Sequence, residues 1–331
     1  MRFKLPLVAV SLLVGALSAL PAAQRPPVPR FNKIITLLEH KQPVFGLYWP
    51  TNPSGRGRGA APPPSATPPK TPAQLAQEAL AYHEADFYFS GALEGGFERG
   101  YAPVSEFVKA TVDAVAATRT RFLSASTPLV VKVPKISADR EKAASEIGRA
   151  LNLGVSGLMF VEVESADEVR AGLAAMRFKS RGGTRADDTG DAPAYWGMSD
   201  DRYKQKADLW PLNRDGELIN WTIVESKEGL AHVREIAAVQ GIGVLWPGAG
   251  TLRGVFSTTN AAGERIVDTA AWENAIQQVL AACKEFNVPC GFPANANDIE
   301  MRMKQGFSVF VMNWGEAGFK TVETGRKAAG R

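Results

Sequence analysis

The stretch Leu158-Met-Phe-Val-Glu-Val163, followed by Ala166-Asp-Glu-Val-Arg-Ala-Gly-Leu-Ala-Ala-Met176, decides the fold. Its first part is short and almost wholly apolar, as a strand buried on both faces must be. Its second part repeats apolar residues at three- and four-residue spacing, the pattern of an amphipathic helix. The same unit recurs on the N-terminal side. There, Val44–Trp49 precedes a helix over Gln74–Tyr82, Asp86–Gly91 precedes Val104–Thr118, and Leu129–Val133 precedes Asp139–Leu151. On the C-terminal side, Trp221–Glu225 precedes Glu228–Ala238, Val244–Trp246 precedes Ala271–Phe286, and Cys290–Phe292 precedes Ala296–Lys304. Phe307–Met312 closes the series before a last helix near Gly315–Lys327. Eight such units predict an α/β chain folded as a closed (β/α)8 TIM barrel, not an open doubly wound sheet. No glycine-rich phosphate loop follows any of these strands, so a dinucleotide-binding reading has no fingerprint.

The 331 residues suit one such barrel. Residues 1–23 read as a secretory signal: a basic start with Arg2 and Lys4, an apolar Leu5–Leu20, and the small residues Pro21-Ala-Ala23. Residues 24–331 are then one barrel domain, expected to be exported to the periplasm or beyond, with no membrane attachment after cleavage. Loss of Arg2 and Lys4 takes the formal charge from +4 to +2, too small a surplus for a nucleic-acid surface. Two segments interrupt the alternation. Residues 51–72 carry seven of the 22 prolines and read as a Pro/Gly-rich loop insertion. Residues 181–218, with Trp196, Trp210 and the acidic Asp187, Asp188 and Asp191, read as a long solvated polar loop. Cys283 and Cys290, seven apart, are expected as two buried thiols, a disulfide being the alternative. His40, His83 and His232 read as structural or solvent-facing.

The stretch Ile223-Val-Glu-Ser-Lys-Glu-Gly229 resembles the Q-V-E-S-x-E-G signature of the HpcH/HpaI aldolases, pyruvate aldolases related to the citrate lyase β subunit. Val161-Glu-Val-Glu-Ser-Ala-Asp-Glu168 is similar to the family's P-x-V-x-S-x-E-E pattern, Gly183-Thr-Arg185 to its G-x-R, and Gln278–Gly291 to its penultimate repeat. The resemblance runs over roughly residues 40–325 and agrees with the strand–helix series. It implies a barrel of the phosphoenolpyruvate/pyruvate-binding type. It also implies a divalent metal (Mg2+, Mn2+ or Co2+) at the strand C-termini, a 2-keto acid held as its enolate, and a homo-oligomer in which the last helix crosses to a neighbour.

By this resemblance Glu225 is the metal-binding carboxylate, and Lys132 stands where the family has a catalytic Arg. Glu94 is what remains of the D-x-E-H motif in Gly91-Ala-Leu-Glu-Gly95. The second metal ligand, an Asp, falls in Trp246-Pro-Gly-Ala-Gly-Thr-Leu252, which has no carboxylate; Gly250 or a neighbour takes its place. Ile223 replaces the signature Gln, and Asn152 an Asp. Gly248 and Ala249 are expected to present backbone N–H groups to a substrate carboxylate. Glu162 or Glu94 is the expected substitute ligand, although an exposed Glu162 and a Lys132 that merely neutralises Glu225 are equally natural readings. Two functions follow. One is an aldolase-like carbon–carbon lyase acting on a 2-keto acid, with a partly degenerate site. The other is a non-catalytic or repurposed barrel that binds a small organic acid or an aromatic compound.

Overall fold

The computed structural model describes residues 30–52, 68–117 and 128–331. The expected signal segment and most of the Pro/Gly-rich loop fall outside the described residues. Eight parallel strands form the barrel: β1 Val44–Tyr48, β2 Phe87–Ser90, β3 Leu129–Val133, β4 Gly157–Phe160, β5 Leu218–Val224, β6 Val244–Pro247, β7 Gly291–Pro293 and β8 Val309–Met312. Consecutive strands pair in parallel from β1 to β6, and β7 pairs with β8, which returns to β1. Between β6 and β7 the junction is a single parallel bridge, Leu245 to Cys290, with the Leu245 N–H donating to the Pro289 carbonyl at 2.9 Å. The sheet therefore curls round into the expected barrel.

The uniform apolarity of the strands has two destinations. Alternate residues, among them Phe87, Phe89, Met159, Trp221, Ile223 and Trp246, fill the barrel interior. Their neighbours, such as Phe45, Val131, Leu158 and Phe310, pack outward against the helices. Large interior rings need small partners on adjacent strands. A Cβ at Gly46 would lie 2.2 Å from the Phe87 ring, and one at Gly291 would lie 2.0 Å from Trp246. The N-terminal end of the barrel is stoppered by a helix the sequence reading did not anticipate, Lys33–Glu39. Asn32 caps it by accepting from the Ile34 N–H, and it inserts Ile34 and Ile35 into the interior cluster.

Three expectations are corrected. Residues 181–218 are not a solvated loop: they form helices Ala192–Tyr195 and Asp200–Lys206 and a short strand, Leu209–Trp210, on β5. Trp196 and Tyr203 are fully buried there, and the Trp196 indole donates to the Gly154 carbonyl at 2.8 Å, so two aromatic anchors outweigh the polar composition. Cys283 and Cys290 are a disulfide, since the fold brings their Cα atoms to 5.7 Å. The helix expected over Glu228–Ala238 divides at His232 into Lys227–Ala231 and Val233–Ala237. The last helix, Glu316–Ala328, packs on β1 and β8 of its own barrel. Small residues let it approach closely: a Cβ at Gly325 would sit 2.5 Å from the Phe45 ring, and Val322 is fully buried. Among the described residues no helix is long and apolar enough to cross a membrane.

Candidate active site

The two-residue period of the strands carries charge to the C-terminal mouth. On β3 the inward series Val130, Lys132 ends in an ammonium; on β5 the series Ile219, Trp221, Ile223 ends, one residue past the strand, in the Glu225 carboxylate. Below them the rings of Trp246 and Trp221 stack at 5.5 Å, with Phe89 stacked 5.9 Å from Trp221, giving the mouth an aromatic floor. The turn after β2 supplies Glu94, whose Oε1 lies 3.0 Å from Lys132 Nζ. Burial pulls the Lys132 ammonium down, but the charge and hydrogen bond of Glu94, then Tyr48 and Glu225, outweigh it. The Lys132 pKa ends above the ordinary lysine value. Tyr48, the last residue of β1, stands edge-on to Phe89 at 5.0 Å. Sequence reasoning passed over it as a strand residue, although its inward phase at a strand end was the available signal.

Glu225 is 4% exposed, and its Oε1 accepts the Glu162 N–H at 3.0 Å. That N–H is aimed by a left-handed backbone, φ +50° at Glu162. The other two non-glycine residues with positive φ among those described, Lys41 and Asn287, follow helices, where this conformation is common; Glu162 follows a strand. The Glu162 carboxylate itself points elsewhere, 3.8 Å from Lys135, which is bonded to Glu164 at 2.8 Å. Glu162 therefore meets Glu225 through its main chain and not as a substitute ligand.

The structure places Gly248 beside Glu225 with a role other than the one expected. The Gly248 N–H donates to the Val224 carbonyl at 2.9 Å and is already used. A Cβ at Gly248 would lie 2.7 Å from Glu225 Oε2, so this glycine makes room for the carboxylate. Ala249 opens the seven-residue helix Ala249–Val255, and its carbonyl accepts the Trp272 indole at 2.8 Å. At Gly250 a Cβ would meet nothing within 4 Å, which leaves open space near the expected second carboxylate. Other motif residues are architectural. Ser226 caps its helix by accepting from the Gly229 N–H at 3.0 Å, and a Cβ at Gly229 would lie 2.6 Å from the Val163 carbonyl. Asn152 bridges Arg185 and Asp188.

For a divalent metal, the described residues contain no group of three or more His, Cys, Asp or Glu that would hold an ion alone. They fit one in charge. Among the described residues, Glu94 and Glu225 share the Lys132 ammonium and Glu162 and Glu164 share Lys135, so these charges at the mouth are net negative. Mg2+-type ions are commonly held by one or two carboxylates, with substrate and water completing the shell.

A (β/α)8 barrel with a carboxylate–ammonium cluster at its strand C-termini is the architecture of a small-molecule enzyme of this fold class. The family model for HpcH/HpaI aldolase/citrate lyase matches residues 102–319, and the chain belongs to that family. Its fold resembles an HpcH/HpaI aldolase/citrate lyase family protein from Burkholderia cenocepacia J2315 (22% identity, 85% of this chain, 92% of that one, TM-score 0.60). It also resembles an HpcH/HpaI aldolase from Desulfitobacterium hafniense DCB-2 (15%, 85% and 89%, TM-score 0.58) and macrophomate synthase (17%, 90% and 88%, TM-score 0.57). A search of curated proteins returned no match. Family and fold together support lyase-type chemistry on a small organic acid.

Proposed function

We propose that the protein is a carbon–carbon lyase that cleaves or forms a bond beside the keto group of a 2-oxo acid, assisted by a divalent ion at Glu225. The observation that carries this reading is the half-buried Lys132 ammonium set between Glu94 and Glu225 above an aromatic floor. A 2-oxo acid anion entering this net-negative mouth is opposed by charge. A divalent cation reverses that sign, and when bound it supplies Lewis-acid polarisation of the keto group. Lys132 faces the oxygen that gains charge as the bond breaks and offsets that charge. Glu94 keeps Lys132 protonated, so Lys132 does not offer the free amine that imine chemistry needs at neutral pH. Glu162 fixes one oxygen of Glu225 and leaves the other for the cation.

The test is exchange of the pyruvate methyl protons with solvent, followed by NMR with Mg2+, Mn2+ or Co2+ added in turn. Exchange that requires both metal and Glu225 is expected. The open space at Gly250 favours the second reading, a barrel that only binds organic acids. Tight acid binding without exchange under every ion would establish that reading instead.

We also propose export and a homo-oligomeric state. The disulfide supports export, because such bonds persist in oxidising compartments. N-terminal sequencing of the mature protein should begin near Ala23 or Gln24. Oligomerisation rests on the family alone. Light scattering that found only a particle of monomer mass would refute it.

A further inference from the structure

We infer that Tyr48 is the acid that delivers a proton to the substrate carbon once the carbon–carbon bond has broken. This rests on the lyase reading above and adds to it the group that completes the reaction. Cleavage leaves an electron pair on the carbon next to the keto group, and some acid at the mouth must quench it. The groups already described are committed. Lys132 and Glu94 bond each other, and Glu225 takes the Glu162 N–H on one oxygen and leaves the other to a cation.

The histidines are committed elsewhere. His40 bonds the Thr36 carbonyl on the helix that stoppers the opposite end of the barrel. His232 faces the Glu164 carbonyl at 3.1 Å and the Glu228 carboxylate at 3.4 Å. His83 is exposed, ahead of β2 on the N-terminal side. The family histidine position falls on Gly95, which has no side chain to offer.

Tyr48 meets the need by position. It ends β1 in the inward phase, packs against the interior cluster, and is held edge-on by Phe89 at 5.0 Å. Its hydroxyl has no protein hydrogen-bond partner among the described residues, and it shares the electrostatic field of Lys132 and Glu94. Burial raises the Tyr48 pKa, which keeps the side chain in its proton-carrying phenol form at neutral pH; its phenolate is the base of the reverse step. In the step, the hydroxyl proton of the departing fragment passes to water as its oxygen forms the new carbonyl, while the carbon–carbon bond breaks and its electron pair stays on the enolate carbon. That pair takes the phenolic proton, forming a C–H bond as the O–H bond breaks. The resulting phenolate is offset by the Lys132 ammonium, and water then returns the proton to oxygen.

The experiment compares Tyr48→Phe with Glu225→Gln in the full-length protein, using pyruvate and Mn2+. Methyl exchange is read by NMR, and pyruvate binding by the paramagnetic relaxation of its methyl protons. Tyr48→Phe should lower exchange by about 100-fold or more, the scale of a lost general acid, with pyruvate binding within roughly threefold of the parent. Replacement of Tyr48 by 3-fluorotyrosine, a more acidic phenol of nearly the same shape, should move the alkaline limb of the exchange profile to lower pH. Exchange retained in Tyr48→Phe while Glu225→Gln abolishes it overturns the role of Tyr48 and leaves the lyase reading standing. Exchange unaffected by Glu225→Gln overturns the lyase reading itself. Loss of pyruvate binding in Tyr48→Phe, or an unmoved profile with 3-fluorotyrosine, also overturns the proton-donor role.

Discussion

Two buried carboxylates, one at each end of the barrel, have opposite fates. Asp86, at the closed end, has no exposure and is saturated. It accepts the Phe45 N–H at 3.0 Å and the Arg331 guanidinium at 2.6 and 3.0 Å, with Lys33 at 3.0 Å and Arg326 at 3.4 Å. These partners come from the first described helix, from β1 and from the last helix and residue, so Asp86 ties the start and the end of the described barrel to one point. Glu225, at the open end, is almost as buried but takes one main-chain N–H and the more distant charge of Lys132. The same group stabilises the fold where its valences are filled and is available for chemistry where they are not.

The sharpest way to break this contrast is to remove each charge without changing shape. Glu225→Gln should abolish metal-dependent methyl exchange, a loss of at least about 100-fold. It should move the urea unfolding free energy by less than about 1 kcal/mol. Asp86→Asn should do the reverse, costing about 3 kcal/mol in urea titration by leaving three cations without their carboxylate, with exchange per folded molecule kept. If both variants lost stability equally, the two carboxylates would not differ in kind. A smaller effect is expected from Cys283→Ser with Cys290→Ser: about 2 kcal/mol of stability for so short a loop, read in the same titration.

Lys132→Ala should weaken 2-oxo acid binding by roughly 1–3 kcal/mol, the scale of a charge-assisted hydrogen bond, in an isothermal titration with Mg2+ present. The pH dependence gives the smallest signal. The folded Lys132 pKa lies above its unfolded value, so the charge is complete at neutral pH and is lost only as pH rises through the folded pKa. Acid affinity should therefore stay flat from about pH 7 to about pH 9.5, and a decline inside that window would remove Lys132 from the binding account.

The barrel was legible because strands buried on both faces leave little room for polar residues; Leu129–Val133 and Ala166–Met176 match the sequence reading residue for residue. The helix Lys33–Glu39 was not, since seven residues are too few to display a helical period. Nor was the order in 181–218, where composition pointed to solvent and only Trp196 and Tyr203 pointed inward. At the site, strand phase alone sends Lys132 and Glu225 to the mouth, while the contribution of Glu94 needed its distance to Lys132. Gly248 was misread because a backbone donor's availability depends on what it already bonds, here Val224, and sequence does not display that.

The junction between β6 and β7 is where the ring of strands is thinnest, and Cys290 is the residue that closes it. Its sulfur is bonded to Cys283 on the outer helix Thr269–Glu285. A clasp thus sits directly on the weakest stitch of the hoop. Elsewhere a strand that frays is recaptured by ladders on both sides; here recapture depends on the helix staying fastened. The disulfide thus anchors the β7 side of the junction to the helix outside it, while the closure itself stays hydrogen-bonded. With thiols in place of the bond, the backbone bridge would still close the ring, but β7 would part from its helix more readily.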